Sequence, residues 1–264
     1  MSLLDARAPY SVFAPAGKMP IWVMDQRDFS TNFALLATTA PHKVCLRVGG
    51  GCTGMSEDDR VAMLDYFAAA LSGFQGLIWS GATRKLNAEG QIDPMVTEVP
   101  GVVAAANPGA VALGTAPRTD TLQIAGESRL ELDKDGTLIN PSLSGVLVVQ
   151  DGPDNTLGWD GDVAAYVSLM ERLKTYGWFE AVGLVTWNGG GVTQTEIMQA
   201  AKRGWPTLLV KGSGRKTDEF VERLAIQDRT FLDELPADHK VRVADRNDPA
   251  TLRTLLQEFG FLRS

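Results

Sequence analysis

Three short glycine-rich stretches carry the residues best suited to chemistry. Gly49-Gly50-Gly51-Cys52-Thr53-Gly54 has the spacing G-x-G-x-x-G, and Lys211-Gly212-Ser213-Gly214-Arg215 ends on a guanidinium. Between them, Asn188-Gly189-Gly190-Gly191-Val192-Thr193-Gln194-Thr195-Glu196 sets three glycines before a hydroxyl and a carboxylate. Glycine lets backbone N–H groups approach an anion with no Cβ in the way, and an arginine adds paired donors for a phosphate. Arg84 and Lys85, just after Gly81 and Thr83, and Arg118 further on, add positive charge. The chemistry these types suit is capture of a small molecule that carries phosphate.

Each stretch also has a plainer reading. The first departs from the dinucleotide fingerprint, because the next helix begins after Ser56, too late to enclose Gly54, and no acidic residue closes the second strand to take a ribose hydroxyl. A tight turn needs the same glycines. Thr193 and Glu196 form T-x-x-E, a capping box that could serve the helix alone. The glycines beside it are harder to dismiss, since three in a row cost folding entropy that a plain connection avoids. Asp151 and Gly152 suit a ribose hydroxyl or a turn, and a calcium loop is excluded because Pro153 stands at a ligand position. Trp159 and Trp187 suit either stacking on a base or burial.

These loops need a scaffold, and the pattern around them supplies one. Short apolar runs alternate with amphipathic stretches, as buried parallel strands alternate with crossover helices. Strands are expected at Lys43 to Val48, Gly76 to Ser80, Ala110 to Gly114, Gly145 to Val149, Ala181 to Thr186, Thr207 to Val210 and Val241 to Ala244. Ser56 and Asp59 read as a capping box for a helix whose apolar stripe is Val61, Leu64, Ala68 and Leu71. Helices are also expected from about Thr193 to Arg203 and Lys216 to Ala225, and Asp135-Gly136 marks a small hairpin excursion. Every glycine cluster follows a strand directly, so in a parallel sheet all converge on the carboxyl edge, where open α/β sheets bind ligands. The fold expected is a Rossmann-like three-layer α/β/α domain over residues 41–264, with residues 1–40 as an N-terminal extension packed on it.

Bulk properties narrow the partners. The 264 residues carry a net charge of -7, which disfavours nucleic acid and anionic membranes. There is no apolar run of 18 residues and no signal-like leader, so a cytoplasmic location is expected. Two cysteines and two histidines, scattered, exclude a zinc site and a disulfide framework, and no metal or resident cofactor is expected. A homo-oligomer stays open.

The ordered set VCLRVGGG, GLIWSGATRK, GVLVVQDGP, LVTWNGGGVTQTEI and PTLLVKGSGRKTDEF resembles the SLOG superfamily, in the branch found as the cytosolic N-terminal domain of melastatin-type TRP channels and as free-standing bacterial proteins. The likeness runs from about Tyr10 to Leu262, with no channel segment after it. It implies a sensor of a nucleotide-derived ligand such as ADP-ribose, surrounded by Gly50, Gly51, Gly81, Thr83, Arg84, Gly189, Gly190, Gly191, Thr193, Gly212, Ser213, Gly214 and Arg215, with Asp151 and Gly152 closing the site. A more distant likeness, to cytokinin-activating phosphoribohydrolases with their P-G-G-x-G-T-x-x-E signature, implies an alternative: N-glycosidic hydrolysis using Glu196 and Arg84. Here Asn188 replaces the signature proline and Val192 its third glycine. A Glu196 carboxylate free in the cleft would favour hydrolysis, and one folded back onto Thr193 would favour binding. A third reading, a protein-interaction module, would follow from loops packed shut.

Overall fold

The computed structural model describes residues 11–13, 21–25, 44–51, 54–85, 93, 95–117, 123–124, 130–131, 137–140, 142–150, 159–175 and 177–263. Along the chain these form β1 (Ser11–Phe13), β2 (Ile21–Asp25), β3 (Val44–Gly50), α1 (Glu57–Ala70), β4 (Gly76–Gly81), β5 (Thr83–Lys85), a 3-10 turn (Val96–Glu98) running into α2 (Val99–Ala106), β6 (Ala110–Pro117), β7 (Gln123–Ile124), β8 (Leu130–Glu131) and β9 (Thr137–Ile139). There follow β10 (Gly145–Gln150), α3 (Trp159–Thr175), β11 (Ala181–Trp187), α4 (Gly191–Lys202), β12 (Thr207–Lys211), α5 (Arg215–Ala225), α6 (Arg229–Leu232), β13 (Val241–Asp245) and α7 (Pro249–Glu258).

The main sheet has the order β1-β2-β10-β6-β4-β3-β11-β12-β13. Every neighbouring pair in it is parallel except β1 with β2. Strands buried on both sides must be apolar at successive positions, and Val44, Cys45, Leu46 and Val48 are all buried. Helices α1, α2 and α7 cover one face through Met63, Phe67, Val99, Leu252 and Leu256. On the other, α3, α4 and α5 pack Tyr166, Leu169, Ile197 and Phe220. This is the expected three-layer α/β/α, Rossmann-like arrangement, with a second four-stranded sheet, β5-β9-β8-β7, where the excursion was expected. Its Asp135-Gly136 turn lies outside the described residues, as do His42, Cys52, Thr53, Arg118, Asp151 and Gly152.

The capping box at α1 forms as read: Asp59 N–H donates to Ser56 Oγ, and Ser56 N–H to the Asp59 carboxylate. Of the expected stripe, Leu71 is buried and Leu64 packs against the core, but the inward face is rotated away from Val61. Met63, Tyr66, Phe67 and Ala70 face inward while Val61 is 48% exposed, because the two aromatic rings pack on Trp187 at 5.4 and 5.9 Å. Aromatic burial outweighs one valine.

The chain connections fix where a ligand can sit. From β3 the chain moves outward through β4 and β6 to β10, then returns to place β11 against the other side of β3 and moves away through β12 and β13. The switch point lies between β3 and β11. Their carboxyl ends carry Gly49 to Gly51 and Gly189 to Gly191, and an open α/β sheet leaves its crevice at this position.

Candidate functional site

β3 runs into the first glycine cluster, so Gly49 and Gly50 are ladder residues opposite Thr186 and Trp187. A Cβ on Gly50 would collide with the Trp187 carbonyl oxygen and the Val96 side chain, which makes that glycine a packing requirement. Gly51 is where the loops meet. The position of its Cβ lies 3.3 Å from Gly189 Cα, 3.7 Å from Gly190 N and 3.7 Å from an Arg215 guanidinium nitrogen. The Cβ position of Gly190 lies 3.3 Å from another nitrogen of the same guanidinium. Arg215 is exposed and has no ion-pair or hydrogen-bond partner among the described residues.

Helix α4 starts two residues earlier than its sequence suggests. Gly190 is its N-cap and no side chain caps it, so the T-x-x-E capping box does not form. Thr193 instead packs under Gly189, whose φ of 104° and contact with the Thr193 hydroxyl exclude a side chain. The first N–H groups of α4 therefore face the loop junction without a side-chain acceptor, at the positive end of the helix dipole.

The loop after β12 is welded to this one. Asn188, left-handed at φ 59°, donates its N–H to Ser213 Oγ at 2.9 Å and accepts from Thr217 Oγ1 at 2.6 Å through its carbonyl. A proline cannot adopt that φ, so the signature proline of the hydrolase-type loop does not fit this backbone. The N–H groups of Gly212 and Gly214 donate to the Asp218 carboxylate at 2.7 and 2.9 Å. These glycines thus shape the turn that presents Arg215, itself left-handed at φ 48°. Arg246 pins the same turn from outside, donating to the Gly212 carbonyl at 2.9 Å and to Asp59 at 3.0 Å. The hydrogen bonds from Ser56 and Arg246 hold the Asp59 carboxyl below its usual range.

Beneath the junction lies a charged cluster that sequence reasoning missed. Arg47, Tyr166 and Glu196 are 7%, 1% and 3% exposed. Arg47 Nε and one terminal nitrogen both donate to Glu196 Oε1, at 3.0 and 2.9 Å, and the Tyr166 hydroxyl donates to the same oxygen. The guanidinium also lies 4.1 Å over the Tyr166 ring and donates to Thr115 Oγ1 at 3.2 Å, which accepts from Trp79 Nε1 at 2.7 Å. Glu196 is thus neither free in the cleft nor folded back on Thr193. The signal available was an arginine inside the apolar run VCLRV, since a buried guanidinium requires an anion. Burial, meanwhile, pushes the Cys45 thiol up, out of reach of nucleophilic chemistry.

The remaining expected residues stand at the next strand end. Gly81 closes β4, a Cβ there lying 3.0 Å from Thr97, whose hydroxyl donates to the Thr83 carbonyl. Arg84 belongs to β5 in the second sheet, opposite Leu138, and its Nε is buried without a hydrogen-bond partner. The cation that Glu196 meets is Arg47, not Arg84. Two hydroxyls at the junction, Thr186 Oγ1 and Thr193 Oγ1, are likewise buried and unpaired. An unpaired buried hydroxyl costs free energy that an isosteric methyl does not, so Thr186→Val is expected to raise stability by about 1 kcal/mol, read as a higher denaturant midpoint at unchanged slope.

Among the described residues no helix is long and apolar enough to cross a membrane, and no three His, Cys, Asp or Glu residues group as metal ligands. No family model and no curated protein matches the chain. Among solved structures it is similar to the molybdenum cofactor carrier protein of Chlamydomonas reinhardtii, at 18% identity and a TM-score of 0.47, over 81% of this chain and 99% of that one. It is also similar to the molybdenum cofactor binding protein of the phototrophic bacterium Rippkaea orientalis, at 12% identity and a TM-score of 0.45, over 82% of this chain and 96% of that one.

Proposed function

We propose that the chain binds and senses a nucleotide-derived, phosphate-bearing small molecule of the ADP-ribose kind at the switch point, as the soluble sensor module of the melastatin-type SLOG branch does. The phosphate lies against Gly50, Gly51, Gly190 and Gly191 and the uncapped start of α4, with Arg215 neutralising its charge. Gly81, Thr83 and Arg84 line the neighbouring strand end, Gly212, Ser213 and Gly214 hold the Arg215 turn, and Asp151 with Gly152 closes the site. The observation that carries this reading is the Arg215 guanidinium over the meeting point of Gly51 and Gly190, unpartnered among the described residues, where a helix begins without a cap. The hydrolase alternative needed a free Glu196 carboxylate. Its Oε1 is instead held by Arg47 and Tyr166.

The test is a thermal-shift series with ADP-ribose, NAD, AMP and pyrophosphate, each mixture also analysed by chromatography for released base. A ligand at about 100 times its dissociation constant adds about 2.7 kcal/mol of apparent stability. Arg215→Ala is expected to abolish most of the shift while leaving the unliganded transition in place, because the side chain is exposed and supports no described contact. No shift with any of the four sinks the binding reading, and free base in the mixtures restores the hydrolase.

A further inference from the structure

The second and third glycine loops are joined by backbone as well as side chains, since Thr217 N–H donates to the Asn188 carbonyl at 3.2 Å and Lys216 N–H to the Gly189 carbonyl at 3.3 Å. Arg246 brings the first loop into the same frame. It directly follows β13, the last strand of the sheet order, and its backbone N–H donates to the Lys211 carbonyl at 3.0 Å. Its stem crosses Gly212, where a Cβ would stand 2.9 Å from Arg246 Cδ, and the φ of 82° at that position also favours a bare glycine. The guanidinium lies 5.5 Å from the centre of the Trp187 ring, and Trp187 is the ladder partner of Gly50. One terminal nitrogen donates to the Gly212 carbonyl at 2.9 Å and the other to Asp59 Oδ1 at 3.0 Å. Asp59 stands in the first turn of α1, the helix that the first loop enters.

Arg246 therefore bonds at once to the helix that ends the first loop and to the turn that presents Arg215. Those are the two walls of the junction, where the Cβ position of Gly51 lies 3.7 Å from an Arg215 guanidinium nitrogen. A phosphate held between them takes backbone donors from one wall and the guanidinium from the other, so its affinity depends on their spacing. Loops already held at that spacing lose less freedom on binding.

We propose that Arg246 is a positioning residue of the anion site: by clasping Asp59 and the Gly212 carbonyl together it fixes the gap between Gly51 and Arg215, so that phosphate affinity depends on a side chain that does not touch the phosphate. The inference rests on the binding reading above. Asp59 offsets the charge of Arg246 and both terminal nitrogens already donate, so Arg246 acts on the anion through the loops. At Asp59 the clasp and simple electrostatics call for opposite results. By Coulomb's law alone a carboxylate beside a bound anion hinders it, and removing Asp59 tightens binding. With Asp59 as half of a clasp, removing it loosens binding.

The experiment is calorimetric titration of the whole chain with pyrophosphate and with AMP, on the wild type, Arg246→Met, Asp59→Ala and the double variant, with thermal unfolding of each unliganded protein alongside. The two side chains are 29% and 36% exposed, so neither substitution strands a buried charge. Methionine keeps a stem across Gly212, and the Ser56 hydroxyl still accepts from the backbone N–H of residue 59, so α1 keeps its cap. Each single substitution is expected to weaken whichever probe binds by about tenfold, the effect of freeing one loop. The double variant is expected to bind within about threefold of either single one, because each breaks the same clasp. A loss under about threefold for either single variant, tighter binding by Asp59→Ala, or a double variant more than about threefold weaker than both overturns the clasp, while wild-type binding keeps the anion site standing. A purely structural role for the pair lowers the unfolding midpoint and leaves affinity unchanged, which overturns it too. If the wild type binds neither probe, the site reading falls and this inference falls with it.

Discussion

Replacing Arg47 with methionine is expected to destabilise the fold by about 3 to 5 kcal/mol, the cost of stranding a buried charge. The argument rests on Glu196, which at 3% exposure has Arg47 as its only ion-pair partner among the described residues. Without the guanidinium, the Tyr166 hydroxyl is the one donor left to the carboxylate among the described residues, in a buried layer that also holds Ile197, Leu184 and Leu113. A single hydrogen bond cannot replace bulk hydration for an ionised group there. The double variant Arg47→Met/Glu196→Gln removes both charges together and is expected to recover most of the loss, so the two substitutions are strongly non-additive. Denaturant midpoints of the wild type, both single variants and the double decide it. A loss below about 1 kcal/mol for Arg47→Met, or simple additivity in the double, would mean that the pair is not coupled through burial.

That pair marks the boundary of what the residues alone could say. The fold was legible because most of the central strands are short apolar runs followed closely by glycine and the helices show their own spacing, both of which are local signals. Even the Ser56–Asp59 box survives, since its two hydrogen bonds span only three residues. Arg47 and Glu196, by contrast, are 149 positions apart and meet only because β11 returns to the side of β3. Thr193 and Glu196 fit a capping rule that looks three residues ahead. The packing of Thr193 under Gly189 moved the helix start instead, and turned both side chains into the interior. Likewise Gly212 and Gly214 read as bare donors for an anion, while their N–H groups close on Asp218, which opens no motif of its own. Local rules identify which loops matter. The assignment of individual atoms within those loops depends on neighbours that the sequence does not place.

The three glycines from Gly189 to Gly191 separate these two kinds of requirement. Gly189→Ala is expected to cost about 2 to 4 kcal/mol, combining the penalty for an L-residue at φ 104° with overpacking against Thr193. Adding Thr193→Ala removes the hydroxyl and methyl but keeps the Thr193 Cβ, 2.5 Å from that position, so it should relieve only part of the steric cost and leave the conformational part of about 1 to 2 kcal/mol untouched. Gly191 is different: it opens α4, its φ is not positive, and no heavy atom comes within 4 Å of its Cβ position. By folding alone, alanine there is better than glycine, so Gly191→Ala is expected to raise stability by about 0.5 to 1 kcal/mol. The methyl would nevertheless stand where the first N–H groups of α4 meet a phosphate, so ligand affinity should fall about tenfold or more if the anion is held as proposed. Thermal unfolding and nucleotide titration of the same variant therefore move in opposite directions. If Gly191→Ala gains stability and keeps full affinity, the phosphate does not approach the start of α4, and the anion site must be rebuilt around Arg215 alone.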